Sequence, residues 1–206
     1  MGGNYRIELL LNYQDDINFN TLSKKYQRIY KINLFFKNEE NLNNFIALNM
    51  DEVNCFSLKV GTLKNNDHCG SISIDNFDIN LFMYLDSLNF NTCLNKKITI
   101  SETGDIKNCP SMSSTFGNIS LTKFSDLILY SEFTKLWKVT KNLIDVCKNC
   151  EFRYICTDCR FYITDPTDIY SKPLKCGYDP STGTWDKWCD DKNKLSLFKN
   201  YYLKNL

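Results

Sequence analysis

The sequence predicts a mixed α/β chain, in which a few βα units precede a small cysteine-rich domain. Apolar segments typical of strands alternate with segments of helical periodicity over roughly the first 62 residues. A turn-rich break follows at residues 65–70, and eight of the ten cysteines lie beyond it. We therefore expect two domains, residues 1–64 and residues 65–206.

Five elements are expected in the first domain. The predicted strands and helices alternate along the chain: Tyr5–Asn12, Phe19–Tyr30, Lys31–Phe36, Glu39–Leu48 and Asn54–Val60. We expect the first strand to be mostly buried and Asn20 or Thr21 to cap the first helix. Leu42, Phe45 and Ile46 should form one face of the second helix. The alternation favours a parallel sheet, but it is too short for a closed (β/α)8 barrel of about 250 residues.

The second domain is expected to contain shorter elements. Segments 97–101 and 105–108 fit a hairpin that turns through Gly104, because glycine accepts a positive φ. This hairpin would carry Cys93 and Cys109 towards each other. We predict a loop over residues 111–120, one or two helices with a core-facing aromatic stripe over Thr122–Ile144, and a helical end to the polar tail. Residues 71–90 fit neither pattern.

Four thiols between Cys147 and Cys159 are the main functional signal. They follow the spacing C-x2-C-x5-C-x2-C, through Cys150 and Cys156. A C-x2-C pair places two sulfurs at the distance that one metal centre needs, because the short turn folds the chain back on itself. Taken alone, these four thiols fit a single zinc ion as in a zinc ribbon, and spacing does not separate that site from an iron-sulfur centre.

The wider cysteine array resembles the SPASM domain of radical SAM peptide-modifying enzymes. The residues that match its pattern in order are Cys93, Gly104, Cys109, Cys147, Cys150, Cys156, Cys159 and Cys176. The last internal gap has two residues where the family has three. The segments 108–112, 116–119, 150–160 and 172–178 are similar to the maturases of grasp-with-SPASM peptide systems. The resemblance covers about residues 68–188, and the first domain would suit the last strands of a radical SAM barrel.

The resemblance implies two interleaved [4Fe-4S] clusters. One would be held by Cys147, Cys150, Cys156 and Cys176. The other would be held by Cys93, Cys109 and Cys159 with a further ligand. We favour Cys69 for that position because a glycine follows it; Cys69 as a small buried hydrophobe and an open coordination site are the alternatives. Cys55 and Cys189 are spare thiols, and the single histidine, His68, is not assigned as a ligand.

Charged residues near the thiols allow two interpretations. Four basic residues flank the candidate ligands: Lys148, Arg153, Arg160 and Lys175. They would either offset the negative charge of a cluster or belong to a solvated surface. Three acidic residues lie in the same region: Asp158, Asp165 and Asp168. Nothing in the sequence pairs these carboxylates for acid–base catalysis, and Asp165-Pro166 is typical of a turn.

The motif that cleaves S-adenosylmethionine in the family, C-x3-C-x2-C, does not occur in this sequence. We therefore expect no S-adenosylmethionine site and no activity of the chain alone. Its expected role is electron relay and positioning of a ribosomally made precursor peptide, beside the missing barrel half and an ATP-grasp ligase. A non-enzymatic zinc module that binds a partner is the alternative.

Composition limits the other function classes. A net charge of +1 gives no electrostatic reason to expect a nucleic acid or an anionic membrane as partner. We expect no signal peptide, and the sequence contains no apolar run near the roughly 20 residues that span a bilayer. We expect a cytoplasmic, reduced protein, in which paired cysteines favour metal binding over disulfides.

Overall fold

The computed structural model of the chain describes residues 5–48, 56–61 and 69–203. The chain divides into two units, Met1–Asn66 and Asp67–Leu206. The structure is mixed α/β with small sheets, which confirms the predicted class at that level.

In its described residues, the first unit contains a three-stranded parallel sheet and two helices. Its elements are β1 (Ile7–Asn12), α1 (Phe19–Lys25), β2 (Ile29–Phe36), α2 (Glu39–Leu48) and β3 (Phe56–Val60). The strand order is β1-β2-β3, and both pairings are parallel. Strands joined by helical crossovers pair in this way because the helix returns the chain to the same end of the sheet. The bounds of α2 are those that the sequence predicts.

The core of the first unit lies around the central strand, β2. The last five residues of β2 are all buried, as expected for a strand that is covered on both faces. The buried side chains that pack together are Phe19, Ile32, Leu34, Phe36 and Phe45. This unit therefore has one continuous apolar core of ordinary composition.

Several details of the first unit differ from the sequence-based expectation. The helix α1 ends at Lys25 rather than Tyr30, because Ile29 and Tyr30 extend into β2, where β-branched and aromatic side chains fit well. Its cap is Asn18, whose side chain accepts a hydrogen bond from the Thr21 amide at 2.9 Å. Predicted caps at Asn20 and Thr21 were wrong by two to three positions.

Burial in the first unit also departs from expectation at two places. The strand β1 alternates between half-buried and exposed residues, because it lies at the edge of the three described strands. Ile46 of α2 is exposed, although it was expected on the buried face, whereas Phe45 is in the core. The start of the third predicted strand, residues 54–55, lies outside the described residues.

The second unit consists mainly of loops and short elements. These are α3 (Leu81–Asn89), β4 (Thr99–Ile100), β5 (Ile106–Lys107), α4 (Phe124–Leu129), α5 (Ser131–Thr134), β6 (Tyr178–Asp179), β7 (Thr184–Trp185) and α6 (Lys192–Leu197). The helix α6 continues into a π-helical turn, Phe198–Tyr202. None of the helices in the described part of the chain is long and apolar enough to cross a membrane.

The predicted hairpin is present as β4 and β5. The two strands pair antiparallel, and Gly104 adopts a φ of +85° in the turn, as predicted. The loop over residues 111–120 is also confirmed, since no helix or strand forms there. The segment 122–144 forms two short helices and a 3-10 turn. Leu127 and Phe133 pack on Ile106, but Phe124 and Leu143 are exposed, so only part of the predicted stripe is core.

Candidate metal centre

Eight thiols of the second unit lie in two groups. We call the first the Cys147 group, which contains Cys147, Cys150, Cys156 and Cys176 and lines one pocket. We call the second the Cys159 group, which contains Cys69, Cys93, Cys109 and Cys159. Neighbouring thiols of the same group are close enough to contribute, by Coulomb repulsion, to the raised pKa of Cys93, Cys109, Cys156 and Cys159. None of these eight thiols is in a disulfide.

Local turns bring the first three thiols of the Cys147 group together. The Cys150 amide donates to the Cys147 carbonyl at 3.0 Å, which closes the first C-x2-C turn. The Cys156 amide donates to the Phe152 carbonyl at 3.0 Å and folds the five-residue spacer. The fourth thiol, Cys176, is delivered from a distant segment, where it forms a parallel bridge with Ile72.

The backbone just before Cys147 is strained. Val146 has a φ of +66° and a ψ of −48°, and the Cys147 amide donates to the Asp145 carbonyl at 2.7 Å. This is the γ-turn of positive φ, which is rare and costly for a β-branched residue. Such strain persists only where the surrounding structure over-determines it, as happens at binding sites. Here the strained turn immediately precedes the first thiol that lines the pocket.

One wall of the pocket in the Cys147 group is aromatic. The rings that line it are Phe77, Phe152, Tyr178 and Trp185. They pack on one another with centroid distances from 4.7 to 6.1 Å. An apolar wall of this kind excludes water and lowers the local dielectric, which strengthens electrostatic interactions in the pocket.

The Cys159 group is assembled from four separate segments. Cys93 lies after α3, Cys109 follows β5, and Cys69 precedes a tight turn at Gly70. A Cβ atom on Gly70 would lie 2.9 Å from the Cys159 sulfur, and Gly70 has a φ of +75°. Glycine is therefore needed at this position both for the close approach and for the backbone conformation.

Backbone amides are directed at the sulfurs of the Cys159 group. The Tyr162 amide donates to the Cys159 sulfur at 3.3 Å. Burial raises the pKa of the Cys109 thiol to about 12, and hydrogen bonds from the Ser111 and Met112 amides partly oppose that rise. N–H groups that point at a sulfur stabilise its thiolate form, which is the form that binds metals.

Two buried hydroxyls beside the Cys159 group have no hydrogen-bond partner. They are the Tyr162 hydroxyl and Ser111 Oγ. Burial raises the pKa of Tyr162 to about 12, and the nearby thiols Cys69, Cys159 and Cys109 contribute to that rise. Ser111 is close enough to lower this pKa, but the two hydroxyls are not in hydrogen-bonding geometry. Buried donors without a partner are costly, so these hydroxyls fit a site that supplies an acceptor.

A buried triad of charges lies beside the Cys147 group. The Lys141 ammonium is 3.5 Å from a carboxylate oxygen of Asp158, and their side chains are only 6% and 1% exposed. Arg160 binds the same carboxylate through Nη2 at 2.9 Å, and its Nε lies 2.7 Å from the other oxygen without hydrogen-bond geometry. Two buried cations thus share one buried anion. Burial alone would lower the Lys141 pKa, but Asp158 and the neighbouring thiols outweigh it and raise that pKa above its ordinary value.

Asn91 connects this triad to the Cys159 group. Its amide nitrogen donates to Asp158 at 2.6 Å and to the Val139 carbonyl at 3.1 Å. Its side-chain oxygen accepts from the backbone amides of Cys93 and Leu94 at 3.0 and 2.9 Å. Asn91 is 1% exposed, and one side chain therefore fixes the position of both Asp158 and Cys93.

The charged residues chosen from the sequence have different environments. Arg160 and Lys175 are buried, which overturns the expectation of a solvated surface for these two. The Lys175 ammonium donates to the Cys69 carbonyl at 2.9 Å and lies 4.1 Å from the Tyr162 ring centroid. Arg153 lines the pocket of the Cys147 group, whereas Lys148 is exposed and pairs with Asp145 at 3.0 Å.

The acidic residues also separate into two classes. Asp158 forms ion pairs with Lys141 and Arg160, and the spacing of these residues along the sequence does not reveal the contacts. Asp165 accepts from the Thr167 amide at 2.9 Å and forms the predicted turn. Asp168 caps the next turn through the Tyr170 amide. Neither of these last two belongs to a thiol group.

Some residues of interest lie elsewhere or were not found from the sequence. Cys55 and His68 lie outside the described residues, and Cys189 is exposed in a 3-10 turn. No sequence pattern indicated Lys141 or Asn91, because each is an isolated polar residue whose role depends on distant partners.

As free thiols, most members of both groups are protonated at neutral pH. Burial raises the pKa to about 12 for Cys93, Cys109, Cys156 and Cys159, and to about 11 for Cys147. A metal must therefore displace protons when it binds. In residues 5–48, 56–61 and 69–203, no three His, Cys, Asp or Glu side chains are arranged to hold a single metal ion.

Comparison with known proteins adds no assignment. No family model, curated protein or solved structure matches the chain.

Proposed function

We propose that the second unit binds two [4Fe-4S] clusters and is the SPASM-type part of a radical SAM peptide maturase. The observation that carries the proposal is the grouping of eight thiols into two sets of four. Four thiolates are the usual ligand set of a [4Fe-4S] cluster. The Cys147 group would hold one cluster and the Cys159 group the other, with Cys69 as the fourth ligand of the second.

The surroundings of both groups suit an anionic centre. The triad of Lys141, Asp158 and Arg160 has one more positive than negative charge in a buried site, which is costly without a further anion. A cluster with four thiolate ligands supplies negative charge beside Lys141. The unpartnered hydroxyls of Ser111 and Tyr162 would donate to the sulfur atoms of the second centre.

The proposed role is electron relay and the positioning of a ribosomally made peptide. A bound [4Fe-4S] cluster supplies one-electron transfer. The chain's own residues hold the clusters, exclude water with the aromatic wall, and set the charge around them. Peptide positioning rests on the sequence resemblance, as do the precursor peptide, an ATP-grasp ligase and a partner with the remaining barrel strands.

Iron and sulfide counting after anaerobic reconstitution tests the proposal. Two clusters predict about eight irons and eight sulfides per chain, with a brown colour and absorbance near about 400 nm. A colourless protein that contains stoichiometric zinc would contradict it and favour the zinc module on Cys147, Cys150, Cys156 and Cys159.

A second assay tests the proposed dependence on a partner. The reconstituted chain, reduced with dithionite and supplied with S-adenosylmethionine, should form no 5′-deoxyadenosine above an iron-free control. Four protein ligands on each cluster would leave no open iron for S-adenosylmethionine. Turnover above the control would show that the chain contains its own site for this cofactor.

A further inference from the structure

Lys141 is a buried cation beside the Cys147 group. It lines the same pocket as the four thiols of that group. Its side chain is 6% exposed, so solvent screens its charge weakly. Arg153, which lines the pocket as well, donates its Nη1 to the Cys150 carbonyl at 2.8 Å.

Asp158 does not fully neutralise the positive charge of Lys141 and Arg160 beside the Cys147 group. Its carboxylate is shared between Lys141 and Arg160 and also accepts from Asn91 at 2.6 Å. Arg160 has further partners in the carbonyls of Ile169 and Ser171, at 2.8 and 2.9 Å. Lys141 lies farther from the Asp158 carboxylate, at 3.5 Å, than Arg160 does, at 2.7 Å. Lys141 also lines the pocket that contains the four thiols.

We propose that Lys141 sets the reduction potential of the centre in the Cys147 group, with Asp158 as the residue that positions it. The inference rests on the proposed function. One-electron reduction adds a negative charge to the centre, and a buried cation at this position stabilises the reduced state, so it raises the potential. Asp158 opposes the effect by its own charge while it holds the ammonium beside the thiols.

Single substitutions separate this role from a purely structural one. In Lys141→Met the cation is removed and the alkyl stem is kept; in Lys141→Arg the charge is kept. Asp158→Asn removes the opposing anion and keeps the shape of the side chain. Lys138→Met is the matched control, because Lys138 is exposed and only three residues away. Each reconstituted full-length variant is titrated with dithionite and followed by electron paramagnetic resonance.

The expected shifts have opposite signs. Lys141→Met should lower the potential of one centre, so that the ratio of reduced to oxidised centre falls at least tenfold at a fixed potential, or about 59 mV for a one-electron couple. Asp158→Asn should raise it. Lys141→Arg and Lys138→Met should stay close to the unsubstituted chain. The step that shifts should be the one that Cys156→Ala abolishes, and the other step should stay in place.

Several results would overturn the inference, and the iron content of the chain shows whether the proposed function fails with it. If the chain binds about eight irons but Lys141→Met leaves both potentials unchanged, the proposed function stands and the role of Lys141 is structural. Shifts of the same sign in Lys141→Met and Asp158→Asn would also overturn it. A wild-type chain without iron would overturn both this inference and the proposed function. If Lys141→Met fails to take up iron, an unshifted or lowered potential in Asp158→Asn refutes the assignment.

Discussion

The two units of the chain are stabilised in different ways. The first unit has one apolar core around a strand that is buried on both faces, with five large side chains at its centre. Over residues 69–203, the second unit has four strands of two residues each, and its apolar side chains are divided into smaller clusters. Two of the clusters described there include a thiol, Cys159 in one and Cys147 in the other.

This contrast indicates where each unit obtains its folding free energy. Burial of apolar surface is the main favourable term in the first unit. In the second unit, segments far apart in sequence meet at the two thiol groups as well as in the smaller apolar clusters. The buried cations Lys141 and Arg160 share the single carboxylate of Asp158, and the hydroxyls of Ser111 and Tyr162 have no partner. When a binding site exists only in the folded chain, binding free energy becomes folding free energy.

Removal of metal should produce the largest difference in folding between the two units. Anaerobic chelation should unfold residues 145–188 and leave the first unit folded, because under the proposed function only the second unit binds metal. Hydrogen exchange with mass spectrometry measures both units in one sample. Protection in residues 145–188 that matches the loaded protein would refute the difference between the units.

A substitution that creates a cavity in the first unit should destabilise that unit and leave metal binding by the second unit unchanged. Leu34 is fully buried in the core, and Leu34→Ala should reduce the free energy of unfolding of this unit by about 2–5 kcal/mol. Iron content should not change, because Leu34 lies in the other unit from the thiols. Leu48→Ala is the control, since Leu48 is 82% exposed. A loss of iron in Leu34→Ala would mean that the units do not fold independently.

A smaller, local effect is expected at Gly70. In Gly70→Ala the new methyl group would lie 2.9 Å from the Cys159 sulfur, so the Cys159 group should lose occupancy while the Cys147 group keeps its metal. Gly183→Ala is the matched control, because its φ of +69° imposes similar strain and its nearest atom is 4.0 Å away. Iron counting on the two variants makes the comparison. Equal losses would show that backbone strain, rather than the contact with Cys159, is responsible.

The smallest effect is expected from the unpartnered hydroxyl. Tyr162→Phe removes a buried donor beside the Cys159 group and keeps the ring, so it should change the spectrum or potential of one centre slightly and leave iron content intact. Tyr202→Phe provides the contrast, because that hydroxyl donates to the Ile163 carbonyl at 2.8 Å and should affect stability instead. An unchanged spectrum and potential in Tyr162→Phe would show that the hydroxyl does not interact with the metal centre.

Local sequence predicted the features that depend on a few neighbouring residues. The helix α2 and the turn at Gly104 follow from periodicity and from the conformational freedom of glycine. The end of α1 was misplaced because strand pairing outweighs helical spacing at Ile29 and Tyr30.

Contacts between residues far apart in the sequence could not be predicted from local sequence patterns. C-x2-C spacing joins Cys147 to Cys150, but it does not indicate that Cys176 faces the same pocket; that expectation came from the resemblance. Lys141 lies 17 residues from its partner Asp158 (158 − 141) and has no local pattern around it. A buried lysine is recognisable only once its counter-ion is known.

The grouping of thiols is tested most directly by two alanine variants. Cys156→Ala and Cys159→Ala remove neighbouring cysteines of the sequence that belong to different groups. Each variant should lose about half of the iron, and Mössbauer and electron paramagnetic resonance spectra should show that each keeps a different centre. Loss of the same centre in both variants would contradict two interleaved groups and would favour a single site on Cys147, Cys150, Cys156 and Cys159.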